Sequence, residues 1–294
     1  MKSSALRPKW YVIWGLLLPT ILLYGFVVII PLFNSIRYSF YKWMGGPLNN
    51  FVGLDNYSRL IHDDEFWGSF QHTMLFVVLC ILGQIGIGFL LAIFVNSKLA
   101  KFQSFHRISI FFPVVVSAVV IGFIWSIIYN KDVGILNWVL QSFNLDNLIV
   151  PWLDDPKYVM YSVTAPIIWQ YIGLYMIIFL ASLQSIPQSL FEAAEIDGAS
   201  GWKKTIHITI PMLNGTFLVA LMLCIAGNMK AFDHIFVMTG GGPGNSSMLM
   251  SLYAYTMSFD RMQMGYGSAI SIGMLVISLT IIGLSRKLLG GNQS

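Results

Sequence analysis

The sequence predicts an all-α polytopic membrane protein with six transmembrane helices, and three observations predict it. The 294 residues are 56% hydrophobic and 10% charged, with a mean hydropathy of +0.71, whereas a soluble domain carries about 25% charge. Apolar runs long enough to cross a hydrocarbon core about 30 Å thick recur along the chain. Between the fourth and fifth runs lies one of the few long polar segments, from Glu192 to Pro211.

Taken in order, the whole chain, 1–294, reads as a single transmembrane domain. The basic stretch Met1 to Lys9 leads into an apolar run at 10–31. That run has spanning length and no small-residue cleavage site after it, so it is a span and not a signal peptide. Further spans are expected at about 73–95, 108–129, 158–183, 212–237 and 265–284, with a polar connection at 185–211. Six spans put both termini on one side. Lys and Arg residues decide which: ten (among them Lys2, Arg7, Lys98, Lys203 and Arg286) fall on the face of the termini and of 185–211. Six (Arg37, Lys42, Arg59, Lys131, Lys157 and Arg261) fall on the other, over longer loops. The positive-inside rule then makes the termini and 185–211 cytoplasmic. The formal charge of +4 is modest, and its basic residues set orientation and do not bind nucleic acid. Cys80 and Cys224 sit in apolar runs and imply packing, not a disulfide.

The polar connection reads as a short helix from Pro187 to Ala199. Pro187 suits a first helical turn, Ser185 a cap before it, and Gly198 or Gly201 a left-handed end. An acidic and alanine-rich helix exposed between spans has the shape of a docking element. The spacing Glu192-Ala193-Ala194, three residues, Gly198, nine residues, Ile208-Thr209-Ile210-Pro211 resembles the EAA signature of permease subunits of binding-protein-dependent ABC importers. Ile210 stands where that signature usually has Leu. Phe51 to Tyr57, a capped turn before a short helix, and the glycine turn in Thr239 to Ser247 are similar to segments of the carbohydrate-uptake branch, which includes maltose-type and glycerol-3-phosphate-type permeases.

Nothing in the sequence forms a catalytic constellation. Five histidines are scattered over five segments, and no His-x-x-x-His or Cys-x-x-Cys spacing suggests a metal. The run Gly240 to Gly244 lacks the Gly-Lys-[Ser/Thr] of a phosphate loop and is a turn. A polar group inside a span is costly, however, and normally faces the bundle interior. Span four carries Gln170 and Tyr171, with Leu174 on the same stripe. Span five carries Asn228 with Cys224, Gly227 and Ala231. Aromatic rings beside amides suit a sugar, but the two amides serve equally as interhelical hydrogen bonds, and small residues serve either close helix contact or room for a ligand. Lys230 is expected to snorkel to the interface and pair with Asp233.

The resemblance implies a specific assembly. This chain would be half of a translocation path for a sugar or oligosaccharide in a bacterial or archaeal cytoplasmic membrane. It would pair with a second homologous permease, and an extracytoplasmic solute-binding protein would deliver the substrate. Two ATPase subunits would bind the ATP, leaving this chain no cofactor, metal or enzymatic activity of its own. Glu192, Ala193, Ala194, Asp197, Gly198 and Pro211 would couple to the ATPase. Gln170, Tyr171, Leu174, Cys224, Gly227, Asn228 and Ala231 would contact substrate. A permease for a polyol phosphate or other small solute, and a secondary transporter, are the alternatives.

Overall fold

The computed structural model describes residues 9–97, 100–197, 199 and 201–290. Among them there are helices and a single isolated β-bridge, Tyr41 to Phe51, but no strand. The elements are α1 (Trp10–Tyr38), α2 (Asp55–Ile61), α3 (Asp64–Asn96), α4 (Gln103–Val115), α5 (Ala118–Ile128), α6 (Ile135–Ser142), α7 (Val159–Gln184), α8 (Gln188–Ile196), α9 (Trp202–Met212), α10 (Asn214–Asn228), α11 (Asp233–Met238), α12 (Met250–Tyr255) and α13 (Met264–Gly290). Four of these, α1, α3, α7 and α13, are long and apolar enough to cross a membrane alone. The bent pairs α4–α5 and α9–α10 bring the number of spans to as many as six.

The contacts divide the chain into two compact units. One holds the described residues of Met1–Asp63 with Ala254–Gly273. The other holds Asp64–Tyr253 and the described residues of Met274–Ser294.

In the second unit α7 is the central element. More than half of its most apolar stretch is buried, whereas α1, in the first unit, buries nothing in its own. Close approach to α7 is made by glycine. A Cβ added at Gly83 or Gly88 of α3 would lie 2.5 Å from the Ile168 side chain or 2.9 Å from that of Tyr175, and one at Gly173 would lie 2.3 Å from the Ile110 carbonyl oxygen of α4. Small residues at such contacts let helices pack in lipid, where hydrophobicity alone drives no association. Phe89, Phe179 and Phe217 then join α3, α7 and α10 in an aromatic cluster with ring centroids 4.6 to 5.3 Å apart.

Two expected spans are broken. Span three, expected as one helix over 108–129, is α4 and α5 set at 98°. Pro113 lies in the 3-10 turn that ends α4, and Val116 and Ser117 are extended, with ψ of 142° and 135°. Span five, expected over 212–237, has a 70° bend between α9 and α10. The bend follows Pro211 and a π-helical stretch, Thr205–Thr209, both of which interrupt the backbone ladder. Its far end also differs, because α10 stops at Asn228, whose Nδ2 bonds back to the Cys224 carbonyl at 2.8 Å.

The polar connection holds α8 over Gln188–Ile196, with Pro187 as its capping residue and not in its first turn. Ser185 does not cap it, since its hydroxyl donates to the Ser182 carbonyl instead. Gly201 does have a positive φ, +49°, but it precedes α9. Gly198 lies outside the described residues.

The glycine contacts give the first prediction. Gly173→Ala should lower the thermal unfolding midpoint of the detergent-purified protein, at a cost of about 1–3 kcal/mol from overpacking. Gly227→Ala, where an added Cβ meets nothing within 4 Å, should leave the midpoint unchanged or raise it.

Candidate functional site

The second unit contains a cavity of about 350 Å³ at the end of α10 remote from α8. Tyr171, Leu174, Gly227, Asn228 and Ala231, five of the residues singled out in spans four and five, line it together. Tyr171 and Leu174 are half-buried on α7, and an added Cβ at Gly227 would enter open space. At Gly227 the small residue therefore leaves room and does not bring helices together.

Gln170 and Cys224 are placed differently. Gln170 is 1% exposed, and its Nε2 donates to the Val116 carbonyl at 2.9 Å while its Oε1 accepts from His234 Nε2 at 2.6 Å. The break in span three leaves the Val116 carbonyl without a helical partner, and the Gln170 amide supplies one. Cys224 is fully buried behind Asn228, with its Sγ donating to Gln84 Oε1 at 3.5 Å.

Asn228 does both things the sequence left open. It lines the cavity, and its Nδ2 donates to Gln84 Oε1 at 3.1 Å across to α3 while Gln84 Nε2 lies 3.5 Å from its Oδ1. Gln84 itself is in a π-helical stretch of α3, Ile81–Ile87, and faces the same cavity. Sequence reasoning missed Gln84. An amide amid the apolar run 73–95 was the signal that could have found it, since such a group is costly in hydrocarbon.

Lys230, Asp233 and His234 also line the cavity, together with Tyr175. The expected pairing of Lys230 with Asp233 is not formed: the ion pair found among the described residues joins Lys204 to Glu195. Because α10 ends early, Lys230 lies in the turn after α10 and Asp233 opens α11, both exposed at the cavity and not along one helical face. Chemically the cavity offers two phenols, two amides and an imidazole beside apolar walls, with one ammonium and one carboxylate at its edge. Among the described residues no group of His, Cys, Asp and Glu could hold a metal ion.

Around the polar connection, Glu192, Ala193 and Asp197 are exposed and Ala194 is buried. Leu190 and Ile196 leave apolar side chains open on α8, 39% and 87% exposed. Pro211 lies in the last turn of α9, and the Lys204–Glu195 ion pair ties α9 to α8.

The amide pair yields the second prediction. Gln84→Leu leaves the Asn228 amide short of a buried partner and should destabilise by about 1–3 kcal/mol. The double variant Gln84→Leu with Asn228→Leu should lose clearly less than the sum of the single variants. The check is a double-mutant cycle on thermal unfolding in detergent, and simple additivity would show that the contact carries no coupling.

The comparisons with known proteins agree with this architecture. Residues 84–288 match the family described as binding-protein-dependent transport system inner membrane component. The chain is 36% identical over 262 residues to the probable ABC transporter permease protein YurN of Bacillus subtilis, covering 88% of this chain and 90% of that one. It is 32% identical over 272 residues to AmyD of Thermoanaerobacterium thermosulfurigenes, a probable starch degradation products transport system permease protein, covering 92% of this chain and 91% of that one. Its fold superposes with a TM-score of 0.84 on a chain of a bacterial ABC transporter involved in the import of the acidic polysaccharide alginate, at 22% identity, covering 97% and 96% of the two chains. With the matched region spanning well over half of its length, this chain belongs to the family of binding-protein-dependent transport system inner membrane components.

Proposed function

We propose that this permease forms half of the path by which a sugar or oligosaccharide crosses the cytoplasmic membrane of a bacterium or archaeon, and that Tyr171, Leu174, Gly227, Asn228 and Ala231 contact the substrate in transit. The carrying observation is the cavity itself: a tyrosine ring and amide groups border open space at Gly227. A sugar has apolar ring faces that rest on aromatic side chains and hydroxyls that need donors and acceptors. The relative named for starch degradation products supports the same substrate class. Gln170 and Cys224 position this lining from behind.

Energy comes from elsewhere in the assembly. ATP binds two partner ATPase subunits, a second homologous permease completes the path, and an extracytoplasmic binding protein loads it. Both termini and α8 face the cytoplasm. On α8, Glu192 meets a basic residue of the ATPase, while exposed Leu190 and Ile196 meet apolar surface. With α9 tied to α8 through Lys204 and Glu195, a push on α8 reaches α10 through the bend at Leu213. Such an element couples two sites through a change of state.

A secondary transporter also uses broken helices, with ion-coupling acids near the breaks. Both breaks here are free of acids, since neither 102–128 nor 202–228 contains Asp or Glu.

The test is uptake of labelled maltodextrin into proteoliposomes holding the complete importer. Tyr171→Ala should lower uptake roughly fivefold, the scale of about 1 kcal/mol for one lost contact, with the ATPase still co-purifying. Gly227→Leu, which fills the cavity, should abolish uptake. If both variants transport normally, the path does not run through this cavity. Glu192→Lys should release or uncouple the ATPase with the spans still inserted, and full transport by that variant would remove α8 from the coupling.

A further inference from the structure

The first unit holds a cavity of about 570 Å³ that the proposed path does not use. Three cations line it, Lys42, Arg59 and Arg261, against one carboxylate, Asp55, and the aromatic residues Trp43 and Tyr266 border it. These cations are three of the six that the sequence puts on the face opposite α8, where positive charge is otherwise disfavoured.

The site is held in shape by its neighbours. The Arg59 guanidinium lies 3.8 Å from the centre of the Tyr266 ring, and its Nη1 donates to Gln263 Oε1 at 2.7 Å. Tyr266 is 3% exposed and donates its hydroxyl to Asp63. The stretch that carries Lys42 and Trp43 is tied down in turn. Asn56 Nδ2 donates to the carbonyls of Ser39 and Tyr41, at 2.8 and 3.1 Å, and the Gly265 amide donates to that of Trp43 at 2.9 Å. Trp43 packs on Tyr38 with ring centroids 4.1 Å apart. Arg59 thus keeps a fixed plane, with N–H groups remaining for a second acceptor.

Depth in the bilayer narrows the ligand. The first apolar run, 10–31, spans about 33 Å, close to the roughly 30 Å of hydrocarbon. Lys42 and Trp43 follow the end of α1 by four and five residues, while Arg261 and Gln263 come just before α13. All four therefore fall at headgroup level. Ile29 and Ile30 at the end of that run are exposed and apolar, a surface for acyl chains. A pre-oriented guanidinium with ammonium and guanidinium neighbours is suited to phosphate, and the excess of positive charge favours a headgroup with net negative charge.

We propose that this cavity binds the phosphate headgroup of an anionic phospholipid, with Lys42, Arg59 and Arg261 as the anion-binding groups. The test is native mass spectrometry of the purified full-length protein in detergent doped with equal phosphatidylglycerol and phosphatidylcholine. The wild type should retain phosphatidylglycerol preferentially. Lys42→Gln and Arg261→Gln should each cut that retention roughly fivefold with helical content unchanged by circular dichroism. Lys131→Gln, a cation on the same face outside the cavity, should not cut it. Displacement of the lipid by millimolar inorganic phosphate would support phosphate as the recognised group. Equal retention of both lipids by the wild type overturns the proposal, whether or not inorganic phosphate binds. An equal loss in Lys131→Gln overturns it as well, because the attraction would then be diffuse.

Discussion

The carbonyl of Val116 must find a hydrogen-bond donor inside a membrane, where there is no water to supply one. Much of the second unit follows from how it does so. Pro113 and the extended Val116 and Ser117 turn α5 by 98° from α4, which frees that carbonyl. Gln170 of α7 satisfies it, and the other end of the same amide accepts from His234 at the start of α11. One side chain therefore fixes the break in span three, the face of α7 and the return of the chain after α10. A buried polar network of this kind is stable because each member is paired, and removing one leaves the rest exposed to a full desolvation cost.

Glycine divides its work around α7 in two ways. At Gly83, Gly88 and Gly173 the neighbouring helix leaves no space for a Cβ, so the absent side chain is what allows contact. At Gly227 the same absence leaves a void that lines the cavity. Tyr175 of α7 belongs to both, packed against Gly88 and lining the cavity. Gln84 and Asn228 bridge α3 to α10 at its floor, so the cavity's shape and the helix contacts depend on the same amides.

The helical class and the polar connection were legible because they rest on periodicity and composition, which the sequence carries directly. Five of the seven expected lining residues converge on one cavity because spacings of three and four identify a helix face. The two that do not, Gln170 and Cys224, share those faces but are drawn to partners on other elements. Breaks in spans three and five were hidden for a related reason. Pro113 stands in an apolar run and Pro211 at the end of the polar connection; proline is tolerated there if neighbours re-satisfy the backbone, and those neighbours, such as Gln170, lie far along the chain. Lys230 was misplaced because its role depended on α10 continuing, whereas α10 ends at Asn228.

The second unit's polar groups also bear on how motion could pass through it. A bend is a place where a helix can change direction without breaking its packing, provided the groups exposed there stay paired. At the α9–α10 bend, Thr216 donates its hydroxyl to that of Ser182 on α7 at 2.8 Å, while the aromatic cluster of Phe89, Phe179 and Phe217 holds the first turns of α10. Rings can slide past one another at modest cost, but a bonded amide pair exchanges only by losing its partner. The lower half of α10, held by rings, is therefore the compliant part. The upper half, held by Asn228 and Gln84, is the part that must either stay fixed or switch as a unit. In the proposed coupling, a displacement arriving from α8 would tilt the lower half first, with the Asn228–Gln84 contact opposing its passage to the cavity. In the proposed path, that amide pair is a contact that a change of state at the cavity would have to break or carry along.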